Sequence, residues 1–170
     1  MKKCLIRINI IFLLFIFLGN GVKIFAKDNP NNVNFLKVGD SDCILIKSNI
    51  ENILIDLGEK KYENNILDYL KEEGIEELDA IILTNFKNNR IGALDIILEN
   101  FKINKIFLPN YCDNKENKDL IIKNLKEKNI SYDFIKKGWS YNKGNIYIEA
   151  KLPLENIFNN NYNSVVLYGV

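Results

Sequence analysis

Short apolar stretches separated by polar turns dominate the chain from residue 33 onward. Val33–Val38 alternates between apolar and polar positions, which predicts a strand that ends at the turn Gly39–Asp42. Cys43–Lys47 and Asn52–Asp56 predict two more strands, joined by the polar turn at residues 48–51. The first part of the domain is therefore expected to be an antiparallel meander.

The hydrophobic period changes to that of a helix after Gly58. Ile66, Leu67 and Leu70 form one apolar stripe that ends at Gly74, a residue type common just beyond the C-terminus of a helix. Further helices are predicted around residues 94–98 and 120–125, and further strands at Ala80–Leu83, Lys105–Leu108, Tyr132–Ile135, Tyr147–Ala150 and Ser164–Tyr168. This order predicts an α/β fold with a mixed β-sheet flanked by helices.

The start of the chain has the layout of a secretory signal peptide. Three basic residues precede or border the apolar core Ile8–Leu18, which is followed by Gly19–Gly21 and by the small residue Ala26. The core is much shorter than the roughly 20 apolar residues that span a bilayer. We expect residues 1–26 to be a signal peptide, residues 27–32 to be a polar linker, and the protein to be exported. An uncleaved membrane anchor is the alternative.

The composition changes the range of possible functions. The chain contains no histidine, so the commonest general base and a common zinc ligand are absent. Four of its 23 cations and none of its 22 acids precede residue 27, so the remainder carries 19 cations against 22 acids. A formal charge of −3 gives no long-range attraction to nucleic acid or to an anionic membrane. The sequence thus carries no strong nucleic-acid signal, and we expect membrane contact only through an uncleaved signal segment.

The three cysteines match no zinc-binding spacing. Cys4 lies in the predicted signal peptide, so Cys43 and Cys112 would remain in the mature chain. In an oxidising compartment these two residues could form a disulfide, or they could be small hydrophobic residues that do not pair. Both alternatives remain open at this point.

Four short motifs follow one another along the chain. Residues 37–46 read KVGDSDCILI, residues 53–58 read ILIDLG, residues 84–94 read TNFKNNRIGAL, and residues 161–167 read NYNSVVL. Their order and spacing resemble the metallo-β-lactamase domain of ComEC-type DNA-uptake (competence) proteins. The corresponding family motifs are of the types DVGQGDSILI, ILID[TS]G, THPHxDHIGGL and NNNSVVL. The resemblance covers about residues 33–170.

The resemblance implies an αββα metallo-β-lactamase-like sandwich, of which residues 33–170 would form about the first two-thirds. The family's bridging aspartate and final histidine would come after Val170, so we expect an incomplete domain with an uncovered apolar sheet face. Such a face favours self-association or an unknown protein partner. A truncated gene product without activity is an alternative.

The resemblance also implies which positions would hold zinc, and four of them are substituted. Asn85 and Lys87 stand in place of two histidines, Asn89 in place of an aspartate, and Arg90 in place of a third histidine. Amide oxygens are weak zinc ligands, and the two cations would repel a dication. We therefore expect no catalytic residue, no metal and no cofactor. A metal-dependent hydrolase of the phosphodiesterase or nuclease type is the alternative.

Other residues of the family's site motifs are retained. They are Asp42, Asp56, Gly58, Thr84, Asn163 and Ser164. Asp56 is expected either to pair with Lys87 or Arg90, or only to cap a turn before Gly58. The two cations and the amides around them form either a small anion pocket or a solvated polar loop. The chain is thus expected to act, if at all, by binding a ligand or a partner.

Overall fold

Strands and helices alternate after an antiparallel start. The computed structural model describes residues 31–112, 114–136, 138–152 and 165–169. The strands are β1 (Asn32–Phe35), β2 (Ile44–Lys47), β3 (Asn52–Ile55), β4 (Glu77–Leu78), β5 (Ala80–Ile82), β6 (Lys102–Ile103), β7 (Ile106–Pro109), β8 (Tyr132–Ile135), β9 (Ser140–Lys143), β10 (Ile146–Leu152) and β11 (Val166–Gly169). The helices are α1 (Glu63–Glu72), α2 (Asn88–Ile91), α3 (Leu94–Asn100) and α4 (Lys115–Glu127), and a 3₁₀ turn (Lys60–Tyr62) precedes α1. None of the described helices is long and apolar enough to cross a membrane.

The main sheet has six strands in the order β1-β2-β3-β5-β7-β8. The first three pair antiparallel, and β3, β5, β7 and β8 pair parallel, so the sheet is mixed as predicted. The two central parallel strands, β5 (AII) and β7 (IFLP), are continuous apolar runs that are buried on both faces. Their carboxyl ends all point to one edge of the sheet, which we call the upper edge.

Helices α1, α3 and α4 cover one face of this sheet. Their apolar stripes, including Ile66, Leu70, Ile97 and Leu125, form one buried cluster with Leu54, Ile81 and other strand residues. Full burial of a Leu or Ile side chain stabilises a fold by about 1.5–3 kcal/mol, so this cluster is the main source of stability. The predicted helical stripes are confirmed.

A second sheet covers part of the other face. Its order is β11-β10-β9, with antiparallel pairing throughout. Ile146, Ile148 and Ala150 of β10 pack against Ile53, Ile82 and Phe107 of the main sheet. Trp139 and Tyr141 meet the ring of Phe107 edge to face, with ring centroids 4.9 and 6.0 Å away. The two sheets thus form a sandwich.

A buried carboxylate joins the two sheets at the edge opposite to the upper edge. Glu51 precedes β3 and is only 1% exposed. Its carboxylate accepts a hydrogen bond from the hydroxyl of Tyr141 and forms an ion pair with Lys143, both on β9. These contacts fix the position of β9 over the main sheet because a buried charge without partners is costly.

Several predicted boundaries are wrong. The first strand ends at Phe35 rather than Val38, since the chain leaves the sheet there and Val38 packs on the helical side. It begins at Asn32, inside the predicted linker. The last strand begins at Val166 rather than Ser164, because the amide of Val165 donates to the carbonyl of Thr84 instead (2.9 Å). The predicted signal peptide and residues 27–30 of the linker lie outside the described residues.

The two cysteines that the structure describes are free thiols. Cys43 is buried directly before β2, whereas Cys112 is exposed after β7. Burial raises the pKa of the Cys43 thiol to about 12, and the nearby Asp56 carboxylate adds to the shift. Of the two alternatives, the structure therefore shows unpaired cysteines.

Candidate functional site

Asp56 lies at the centre of the upper edge. It follows β3, is 2% exposed, and adopts a φ of +54°, which is uncommon for a residue other than glycine. Its Oδ1 accepts a hydrogen bond from the backbone amide of Thr84 (2.8 Å), and its Oδ2 accepts one from the Thr84 hydroxyl (2.6 Å). Thr84 follows β5, the neighbouring parallel strand, so the carboxylate ties two strand ends together.

The Asp56 carboxyl has a perturbed pKa. Burial raises this pKa from 3.8 to about 6, although the two hydrogen bonds from Thr84 and the charge of Arg90 pull it down. The charge of Asp42 raises it further. Desolvation outweighs hydrogen bonding here because the whole side chain is removed from water.

Arg90 bridges two carboxylates of the site. Its Nη1 forms an ion pair with Oδ2 of Asp42 and lies 3.6 Å from Oδ2 of Asp56. Arg90 comes from α2 and Asp42 from the turn before β2, so the bridge joins loops that are 48 residues apart in sequence. Of the two cations proposed for Asp56, the structure pairs it with Arg90. Because two carboxylates neutralise this guanidinium, the anion-pocket alternative loses its main cation.

Backbone contacts lock the loop after β3 to the loop after β5. The amide of Leu57 donates to the carbonyl of Arg90 (2.8 Å), and the amide of Gly92 donates to the carbonyl of Gly58 (2.8 Å). Gly58 has a φ of +58°. At Gly92 a Cβ atom would lie 2.1 Å from the backbone nitrogen of Lys60, so only glycine allows this approach. The glycines of the two motifs thus have a packing role.

The other substituted motif positions have structural environments of their own. Asn85 is 2% exposed, and its Oδ1 accepts from the backbone amide of Lys87 (2.9 Å), which shapes the turn into α2. The side chain of Lys87 is exposed, and Asn89 is half-buried. Among the described residues, no group of three or more Cys, Asp or Glu side chains is placed to hold a metal ion. Asn163 and Ser164 lie outside the described residues.

Tyr111 belongs to this region and was not predicted from the sequence. It follows β7, the next parallel strand, and its hydroxyl donates to the carbonyl of Thr84 (2.9 Å). The same carbonyl accepts from the amide of Val165, so Thr84 connects both sheets. A residue with a hydrogen-bonding group within two positions of the end of a buried parallel strand is the signal that could have found it.

An open groove begins at Asp56 and runs between the two sheets. Its volume is about 500 Å³. Asp42, Asp56, Thr84 and Arg90 lie at one end. Apolar residues of β1, β2, β10 and β11 form most of the remaining wall, including Val33, Phe35, Ile44, Ile46, Ile146, Ile148 and Leu167. The groove is large enough for a ligand or a polypeptide segment.

Comparison with known proteins identifies the fold. No protein-family model matches the chain. ComE operon protein 3 of Bacillus subtilis (strain 168) is 22% identical over 147 residues, which cover 76% of this chain and 18% of that protein. The chain therefore spans less than a fifth of the length of this curated relative.

Similar solved structures show that the fold is that of the metallo-β-lactamases. A metallo-β-lactamase from Cronobacter sakazakii matches with a TM-score of 0.52 and 13% identity over 69% of this chain and 48% of its own. The Rm3 metallo-β-lactamase matches with a TM-score of 0.54 and 14% identity over 71% of this chain and 48% of its own. A flavodiiron protein from Giardia intestinalis matches with a TM-score of 0.56 and 9% identity over 76% of this chain and 30% of its own.

Proposed function

We propose that this chain, which has the metallo-β-lactamase fold and resembles a ComEC-type protein, is an exported, non-catalytic protein that acts by binding. The observation that carries the proposal is the bridge from Arg90 to Asp42 and Asp56. A side-chain cation lies beside the carboxylates of the site and ties its loops together. Arg90 would thus hold the loops of the site together in place of the metal ion that the resemblance to metallo-β-lactamases implies.

The donor atoms of the site do not fit zinc. Zinc sites in proteins use histidine nitrogens, cysteine sulfurs and carboxylates, usually four ligands in a tetrahedral arrangement. This chain has no histidine, and the four substituted positions offer two amides, an ammonium and a guanidinium. Arg90 already pairs with Asp42 and Asp56, so a dication would have to displace the guanidinium before it could bind these two carboxylates. The site therefore supports no zinc-dependent hydrolytic step.

We expect the purified protein to retain no stoichiometric zinc after dialysis and to hydrolyse neither a phosphodiester nor a β-lactam. The measurements are elemental analysis and turnover of bis(p-nitrophenyl) phosphate and nitrocefin, with and without added zinc. Asp56→Ala is the matched control, because turnover that this substitution leaves unchanged comes from a contaminant. One zinc per chain, or turnover that is abolished by a chelator and by Asp56→Ala, would support the hydrolase alternative.

The apolar core Ile8–Leu18 supports export through a cleaved signal peptide. N-terminal sequencing of protein recovered outside the cytoplasm should begin at or near Lys27. Leu14→Arg places a charge inside the core and should retain the protein in the cell, whereas Asn29→Arg, beyond the cleavage point, should not. Full-length protein confined to the cytosol would contradict export, and full-length protein in the membrane would indicate the anchor.

A further inference from the structure

Polar contacts attach the second sheet to the main sheet at two opposite edges. At the edge away from the candidate site, the buried carboxylate of Glu51 binds Tyr141 and Lys143 of β9. At the upper edge, the amide of Val165, the residue before β11, donates to the carbonyl of Thr84 (2.9 Å). The start of β11 is therefore tied to the end of β5.

Asp56 fixes the conformation of Thr84. Its carboxylate accepts hydrogen bonds from both the amide (2.8 Å) and the hydroxyl (2.6 Å) of Thr84. Hydrogen bonds to a charged group are roughly twice as strong as those between neutral groups. The two bonds hold the backbone and the side chain of Thr84 in one orientation, and the carbonyl that accepts from Val165 and from Tyr111 belongs to the same residue. The direction of this carbonyl is therefore set by Asp56.

The backbone of Asp56 is held in an unfavourable conformation. Its φ of +54° is uncommon for a residue with a side chain, and such strain persists only where the surrounding contacts impose it. Without the bonds to Thr84, the carboxylate would keep Arg90 as its ion-pair partner, with the two atoms 3.6 Å apart. A rearrangement of Asp56 would thus relieve strain and break both bonds to Thr84 together.

The residue that Thr84 holds belongs to one wall of the groove. Val165, Leu167 and Gly169 line the groove, and Asp56 and Thr84 lie at its upper end. Val165 is buried in the apolar cluster between the two sheets, so its displacement would move the wall. A group that binds at the upper end would therefore act directly on the contacts that hold this wall.

We propose that Thr84 couples the Asp56 site to β11, so that the contacts of Asp56 control how firmly this wall of the groove is held. With both hydrogen bonds in place, the Thr84 carbonyl holds the Val165 amide. When an incoming group displaces Asp56 from Thr84, the carbonyl turns, and the start of β11 moves away from the main sheet while β11 stays paired with β10. This inference rests on the proposed binding function, whose regulation it describes.

Hydrogen exchange of the Val165 amide, followed by NMR on the chain in the form that cells produce, tests the coupling. Asp56→Gly removes the carboxylate without adding strain, because glycine adopts a positive φ readily. Exchange at Val165 should become roughly tenfold faster or more, the effect of losing a hydrogen bond to a charged group. The amide of Leu83, which donates to the carbonyl of Phe107 within the main sheet (2.9 Å), is the internal reference and should change less.

Two further variants grade the effect. Thr84→Val removes the hydroxyl but keeps the amide bond to Asp56, so exchange at Val165 should rise by less than in Asp56→Gly. Asp42→Asn is the matched control, because Asp42 is the other carboxylate that pairs with Arg90 and none of its described hydrogen bonds involves Thr84. It should leave the ratio of the Val165 rate to the Leu83 rate unchanged.

This ratio decides the outcome. An unchanged ratio in Asp56→Gly would overturn the coupling, and so would an equal increase in Asp42→Asn, which would show a general loosening of the site. Thermal unfolding checks that each variant is folded; if Asp56→Gly does not fold, an unchanged ratio in Thr84→Val overturns the coupling instead. None of these results depends on the zinc and hydrolysis measurements, so failure of the coupling is distinguishable from failure of the non-catalytic function.

Discussion

Gly92→Ala is expected to remove about 3 kcal/mol or more of the free energy of unfolding. The new Cβ would lie 2.1 Å from the Lys60 nitrogen, 2.3 Å from the Glu59 carbonyl carbon and 2.6 Å from the Gly58 oxygen. All three are backbone atoms, so rotation of a side chain cannot relieve the contact. A domain is typically stable by about 5–15 kcal/mol, so this loss is large. Urea or thermal denaturation of the purified variant measures it.

Gly74→Ala separates steric crowding from backbone conformation. Gly92 has a φ of −60°, which alanine adopts freely, so its substitution tests space alone. Gly74 has a φ of +69°, and no atom lies within 4 Å of the position that a Cβ would occupy there. Its substitution therefore tests conformation alone and should cost about 1–2 kcal/mol. If Gly92→Ala cost less than Gly74→Ala, the close approach of the two loops would be disproved.

The free energy of unfolding of the Asp56→Asn variant is expected to increase relative to that of the unaltered protein as the pH rises. Burial raises the pKa of Asp56 from 3.8 to about 6, so the folded state favours the protonated acid. This contribution to stability is complete below pH 3.8 and is lost as the pH rises to about 6, because the unfolded chain releases its proton first. The asparagine variant does not titrate, and the difference in unfolding free energy should change by about 3 kcal/mol across this window. Urea denaturation at several pH values measures it.

Thr84→Val provides the control for this pH dependence. The Thr84 hydroxyl donates to Oδ2 of Asp56 and holds its pKa down, so removal of the hydroxyl should raise that pKa further. The loss of stability should then extend to higher pH. The difference in unfolding free energy between the unaltered protein and Asp56→Asn should thus depend on pH. If it stayed constant, or changed in the opposite direction, burial would not raise the pKa of Asp56.

The elements with strong hydrophobic periodicity were predictable from the sequence. The stripe of Ile66, Leu67 and Leu70 and the run Ala80–Ile82 became α1 and β5, both with buried apolar residues. Strand β9 was not predicted, because its sequence SYNK has little apolar character. It becomes a strand through pairing with β10 and through the contacts of Tyr141 with Phe107 and Glu51. Such pairing depends on distant residues rather than on local preference.

The candidate site was predictable only in part. The motif order placed Asp56, Thr84 and Arg90 in one region, and the structure brings these residues together. The order of the motifs could not identify Asp42 as the ion-pair partner of Arg90, since Asp42 is 48 residues away in sequence and mostly exposed. Tyr111 was missed because its role arises from the order of parallel strands, which places the end of β7 beside that of β5.

By itself, the sequence determined the helical stripes, the buried parallel strands and the replacement of histidine and aspartate by amides and cations at the metal motif. These properties follow from residue type and local spacing. The tertiary structure decided that Arg90 bridges Asp42 and Asp56, that Gly92 lies against the backbone of residues 58–60, and that Asp56 and Arg90 line the same groove as apolar residues of both sheets. Each of these depends on segments that are far apart in sequence, whose distance is set only when the sheets and helices pack against each other.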